Sequence, residues 1–129
     1  MKKNILVVGL GSIGTRHLKN LLALGYRNIS IVTRLGKVEE GFERFKFYTS
    51  ISNACSDKNI NTAIIATPTS NHISDLLEVL ENNIQNIYLE KPVSHSLNDI
   101  KKAGKKLTLS GANLVVGYDL HFDPGLLLM

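Results

Sequence analysis

The sequence has one cysteine, three prolines and no tryptophan. A lone Cys55 cannot close an internal disulfide, and no Cys/His cluster has zinc-ligand spacing. That excludes a stapled secreted scaffold and a structural or catalytic metal centre, and it makes a reducing compartment the expected setting. No stretch approaches the roughly 20 apolar residues of a membrane helix. Met1-Lys2-Lys3 followed by Ile5-Leu6-Val7-Val8 has the outline of a targeting signal, but Gly9, Gly11 and Gly14 break the apolar run and no cleavage site follows. A cytoplasmic protein with no membrane partner is expected. Charge of one sign is also scarce: 15 Lys+Arg against 11 Asp+Glu leave a net +4. Its densest patch, Lys101, Lys102, Lys105 and Lys106, has no aromatic or motif partner, so it is expected to be a solvated helix face rather than a nucleic-acid surface.

What is present is enough for one core. The 129 residues are 43% hydrophobic, ordinary for a single domain that needs no staple. Short β-branched runs alternate with helical periodicity. Strands are expected at 4–8, 29–33, 45–48, 62–66, 87–90 and 114–117, and helices at 13–24, 51–57, 70–81 and 96–109. The first helix should present Ile13, His17, Leu21 and Leu24, with Leu18 and Leu22 beside them. The third should present Ile73, Leu76, Leu77 and Leu80, and the fourth Leu97, Ile100, Gly104 and Leu107, with its lysines towards the end. Gly25 suits a left-handed helix terminus. Residues 35–50 have no clear period and are expected to form a loop and an irregular strand. Continuous apolar strands between amphipathic helices imply an α/β, doubly wound, mostly parallel six-stranded sheet.

Gly9-Leu10-Gly11-Ser12-Ile13-Gly14 matches G-x-G-x-x-G, directly after a strand and at the start of a helix. Gly9 allows the tight turn, Gly11 lets the backbone approach a pyrophosphate, and Gly14 lets helix and strand pack closely. The helix N-terminus offers N–H groups to phosphate. The alternative is a glycine-rich turn with no ligand. Thr33-Arg34 and then Lys37 stand where a carboxylate would hold the ribose hydroxyls of NAD. A hydroxyl and a guanidinium suit a 2′-phosphate, so NADP is favoured over NAD. Otherwise Arg34 is a solvated loop residue. His17 is expected to pack its helix rather than bind a ligand.

Three further segments complete a pattern: Ala66-Thr67-Pro68-Thr69-Ser70-Asn71-His72 after the fourth strand, Glu90-Lys91-Pro92 after the fifth, and Gly117-Tyr118-Asp119-Leu120-His121-Phe122-Asp123-Pro124 after the sixth. In this order, with the glycine loop, the chain resembles the glucose-fructose oxidoreductase / inositol dehydrogenase / MocA (Gfo/Idh/MocA) family over essentially its whole length. The resemblance implies a Rossmann domain over 1–120 that binds NAD(P), and a connection at 121–129 to a substrate domain absent from this chain. It implies a cofactor site of Gly9, Gly11, Ser12, Ile13, Gly14, Thr33, Arg34, Ala66, Thr67, Pro68, Asn71, His72, Glu90 and Lys91. Glu90 would lie by the nicotinamide ribose, and Lys91 would be the catalytic lysine at the reacting oxygen. His72 capping its helix, and a loop ion pair between Glu90 and Lys91, are the structural alternatives. The resemblance further implies a cis Lys91–Pro92 bond, a sugar, sugar derivative or cyclitol as substrate, and leaves homo-oligomerisation of a full-length protein open. Asp119 and His121 replace the family's Asn and Arg, which removes expected substrate contacts from that segment. A rival reading is a stand-alone, non-catalytic dinucleotide-binding or sensory module.

Overall fold

Two four-residue runs, aliphatic but for Ser30, are buried along their whole length, Ile5–Val8 (β1) and Ile29–Val32 (β2). Strands buried on both faces belong in the middle of a covered parallel sheet. The computed structural model, which describes residues 3–34 and 40–118, places them there. Lys46–Tyr48 (β3) flanks β2, and Thr62–Ile65 (β4), Asn86–Glu90 (β5) and Asn113–Gly117 (β6) extend the other side. The order is β3-β2-β1-β4-β5-β6, and every pairing is parallel. This is the strand order of a doubly wound dinucleotide fold.

Four helices cover it: Ser12–Ala23 (α1), Ile51–Asp57 (α2), Thr69–Glu81 (α3) and Leu97–Ser110 (α4). On one face Leu6, Val8, Val32 and Ile65 pack with Ile51 and Ala54 of α2, Leu76, Val79 and Leu80 of α3, and Ala103 of α4. On the other, Val7 and Ile31 pack with Leu18 of α1 and with Phe42 and Phe45. Burying each Val, Leu, Ile or Phe among these contributes roughly 1.5–3 kcal/mol.

Two expected helix faces need correction. In α1 the buried residues are Gly14 and Leu18, while Ile13 is 40% and Leu24 75% exposed. Both lie at helix ends, where the stripe overhangs the sheet. In α4 Ala103 is buried, Leu97 is 75% exposed, and no basic residue occupies the last turn. α4 meets the core through Ala103 and the partly buried Leu107, as expected of Leu107, while Leu97 and Gly104 stay exposed. The rest of the register follows the sequence to within a residue or two. The Lys91–Pro92 bond is cis, as the resemblance implies. Lys37, the segment from Asp119 and the connection at 121–129 lie outside the described residues.

Candidate cofactor cleft

Strand register levels the floor of the site. Val8 pairs with both Val32 and Ile65, so the residues that follow leave the sheet together. Gly9 N–H donates to Val32 O and Ala66 N–H to Val8 O, each at 2.8 Å. The chain then diverges into three turns. A cleft of about 420 Å³ opens between them, lined by Gly9, Leu10, Gly11, Ser12, Ile13, Thr33, Arg34, Ala66, Thr67, Pro68 and Asn71.

The glycines divide the labour as their spacing predicts. Gly9 has φ +92°, and a Cβ there would sit 2.9 Å from the Ala66 backbone. A Cβ on Gly14 would lie 1.9 Å from Gly9 O. These two serve close packing of β1, β4 and α1. Gly11 differs: a Cβ there would meet nothing within 4 Å. It projects into open cleft, the space a pyrophosphate needs. Gly11 is also the N-cap of α1 and Pro68 the N-cap of α3; neither makes a side-chain capping bond, and neither first turn holds an acidic residue. Two helix N-termini therefore converge on one cleft with main-chain donors and positive dipole ends directed at an anion. The residues fit a dinucleotide diphosphate.

Ten of the fourteen expected residues line the cleft; Gly14, His72, Glu90 and Lys91 do not. Gly14 is packed beneath it. His72 is 1% exposed. Its Nδ1 lies 2.7 Å from Pro92 O and its Nε2 2.8 Å from Thr67 O. It thus ties the turn after β4 to the corner after β5 from below. A neutral imidazole has one N–H and satisfies one of these carbonyls at a time. Glu90 meets His17: His17 Nε2 lies 2.5 Å from Glu90 Oε1, with both side chains mostly buried. The His17 ring also packs edge-on against Tyr88 at 5.1 Å between centroids. His17 does pack its helix, as expected, and it also links the glycine-loop helix to the end of β5. Lys91 is exposed at the cis corner.

Sequence reasoning missed Asp75. It is 1% exposed, accepts from Thr67 Oγ1 at 2.6 Å and from Arg34 Nη2 at 2.9 Å, and so fastens two cleft-lining residues from behind. One signal was available. Asp75 falls on the same helical face as His72, Leu76 and Val79, where a carboxylate without a partner would be expensive to bury. Leu10, inside the glycine motif, was also passed over as a lining residue.

Among the described residues no group of three or more His, Cys, Asp or Glu could hold a metal ion, and no helix is long and apolar enough to cross a membrane. Comparison with known proteins agrees with the geometry. The chain is 34% identical to a scyllo-inositol 2-dehydrogenase (NAD(+)) of Bacillus subtilis over 92% of its own length and 36% of that protein's. It is 25% identical to a myo-inositol 2-dehydrogenase of Thermotoga maritima over 91% of its length and again 36% of the relative. The solved myo-inositol 2-dehydrogenase of Lactobacillus plantarum superposes with a TM-score of 0.85 at 18% identity, over 96% of this chain and 38% of that one, a likeness of fold. The chain thus spans a little over a third of the relatives it matches. Residues 3–118 match the family described as oxidoreductase family, NAD-binding Rossmann fold, and the chain belongs to it: it is an NAD-binding Rossmann domain of the Gfo/Idh/MocA oxidoreductases.

Proposed function

We propose that this chain is the cofactor-binding part of an NAD(P)-dependent oxidoreductase that moves a hydride to or from a hydroxyl or carbonyl carbon of a sugar, sugar derivative or cyclitol. The open face of Gly11, between two uncapped helix N-termini, carries the reading. When bound, the dinucleotide supplies the hydride-carrying nicotinamide. The chain's own residues do the rest. The turns after β1 and β4 hold the diphosphate through main-chain N–H groups. Thr33 and Arg34 take the adenosine end. Glu90, oriented by His17, lies towards the nicotinamide ribose. The Lys91 ammonium donates to the reacting oxygen and stabilises charge that develops on it. The inositol substrates named for two relatives support the polyol class.

Cofactor preference follows from Arg34. A bare guanidinium–phosphate contact is worth about 1.5–3 kcal/mol, roughly tenfold or more in affinity. Arg34 already engages Asp75, and one relative is named for NAD(+). NADPH is therefore expected to bind tighter than NADH by only about three- to tenfold.

The 129-residue chain alone should bind dinucleotide without turning substrate over. Further acid/base groups, implied by the family resemblance, typically contribute about 10²–10⁴-fold, and substrate positioning about 7–11 kcal/mol. The test is a fluorescence titration with NADPH and NADH, then a screen of sugars and cyclitols at the nicotinamide absorbance band. Saturable binding without turnover is expected. Steady turnover would place the missing chemistry inside this chain, and failure to bind either dinucleotide would overturn the reading.

A further inference from the structure

Asp75 has no part in the glycine motif and does not line the cleft, yet it is a carboxylate buried to 1% exposure on the core-facing side of α3, beside Leu76 and Val79. A buried carboxylate persists only when paired and hydrogen-bonded, and both of its oxygens are taken. Oδ1 accepts from Arg34, which leaves β2, and Oδ2 accepts from Thr67, which leaves β4. These residues belong to different walls of the cleft. The Arg34 side chain is 47% exposed, so its guanidinium keeps one side in the carboxylate and one towards the site.

We infer that Asp75 is a specificity-determining positioning residue: it holds Arg34 at the adenosine end and cancels most of the charge Arg34 would offer there, so that the cleft accepts both NAD(H) and NADP(H). This rests on the reading of the cleft as a dinucleotide site. The physical step is short. A 2′-phosphate near Arg34 feels the guanidinium and the carboxylate behind it together. The pair sums to about zero charge, whereas a bare guanidinium gives one full positive charge. The 2′-hydroxyl of NAD is uncharged and feels little of either. Asp75 therefore acts on the difference between the two cofactors rather than on binding as a whole.

The test is a set of three variants with NADPH and NADH affinities measured on each. Asp75→Asn keeps the shape, because its Oδ1 still accepts from Arg34 and its amide can donate to Thr67 Oγ1. It leaves the pair at +1, and the NADPH:NADH affinity ratio should rise about five- to tenfold while NADH affinity changes less than about threefold. Arg34→Gln leaves the buried carboxylate alone, and the ratio should fall below one. The double variant restores zero charge and should return the ratio to within about threefold of the parent. The ratio should thus follow the summed charge of positions 34 and 75. An unchanged or lower ratio in Asp75→Asn would overturn the inference while normal NADH binding left the cofactor site intact; loss of both dinucleotides in the parent chain would instead remove the cofactor reading itself. If Asp75→Asn loses its cooperative melting transition, the parent chain decides. Its ratio should move less than about twofold between 50 and 500 mM salt, because a neutral pair has little charge to screen. A collapse of more than about fivefold would show an uncompensated cation and overturn the proposal.

Discussion

Among the described residues, the cleft at the carboxyl ends of β1, β2 and β4 is lined by one cation, Arg34, whereas a second hollow, about 350 Å³ at the amino ends of the strands, is lined by four: Arg27, Arg44, Lys46 and Lys58. Counting charge would choose the second as the anion site, whereas the proposed site is the first. At the amino ends the helices arrive carboxyl-first. Arg27 donates to Leu22 O in the last turn of α1 and to Tyr26 O just beyond it, Lys46 is bonded to Asp57 at the end of α2, and Arg44 lies over the Phe45 ring at 4.9 Å. These cations answer helix carbonyls, a carboxylate and an aromatic face. At the carboxyl ends α1 and α3 arrive amino-first and uncapped. The anion site is made by the direction of the helices and by fixed N–H groups, which need no side chain to be ordered on binding.

Two glycine substitutions would break the comparison most sharply. Gly14→Ala drives a methyl to 1.9 Å from Gly9 O, so backbone must move. It should lose about 3 kcal/mol, near 10 °C in melting temperature, and all measurable dinucleotide binding. Gly11→Ala has open space for its methyl and should melt within about 2 °C of the parent. Because that methyl occupies the pyrophosphate's approach, affinity should still fall about thirtyfold or more. Calorimetric melts beside fluorescence titrations separate the two. Equal melting losses would mean that Gly11 also serves packing.

His17→Ala comes next. It removes the 2.5 Å partner of a mostly buried Glu90 and an edge contact with Tyr88. An unsatisfied buried acceptor costs about 1–3 kcal/mol, so the melting temperature should drop by roughly 4–10 °C. Dinucleotide affinity should fall less than in Gly11→Ala, because the phosphate cradle stays intact.

The same contrast explains what was legible in the sequence. The strands and the glycine loop follow local rules, a short continuous apolar run and a fixed G-x-G-x-x-G spacing, and they stand where those rules put them. The strand order then makes neighbours of the turns holding Gly9, Thr33 and Ala66, which is why ten expected residues share one cleft. Contacts between elements distant in sequence were not legible. Nothing near His17 announces Glu90, and nothing near Arg34 announces Asp75, 41 residues on. The helix stripes failed where a helix overhangs its sheet, as Leu24 and Leu97 show. Periodicity identifies a face, but the sheet's edge decides how much of that face is covered. Phe42 and Phe45 illustrate the reverse: they lie in a stretch without period and still pack under α1 as core.

A smaller effect sharpens the comparison from the other end. If the amino-end hollow is not an anion site, Arg44→Gln with Lys58→Gln should leave NADPH and NADH affinities within about twofold of the parent, since charges more than a Debye length from the cleft are screened at about 0.15 M salt. A tenfold loss measured by titration would mean that the distant cations steer or hold the cofactor after all.

The smallest expected effect is a pH dependence at Asp57. Hydrogen bonds from Lys46 and then Tyr48 hold its carboxyl below the usual range, and the bond to Asp57 raises Lys46. A carboxyl with a folded pKa below its unfolded one contributes stability that is fully present above the unfolded value, near pH 4, and is lost as pH falls through the folded value. Lys46 has the opposite sign: its contribution is present below about pH 10 and fades as pH rises through the raised folded value. Both groups are exposed, so water and salt screen the pair and the gain is slight. Urea midpoints of the parent should exceed those of Asp57→Asn at pH 7, and the two curves should converge as pH falls through the lowered folded pKa of Asp57. The gap should also narrow in high salt. A gap that persists at low pH would mean that Asp57 acts through packing at the end of α2 rather than through its charge, and the amino-end cations would then be freer than their bonds imply.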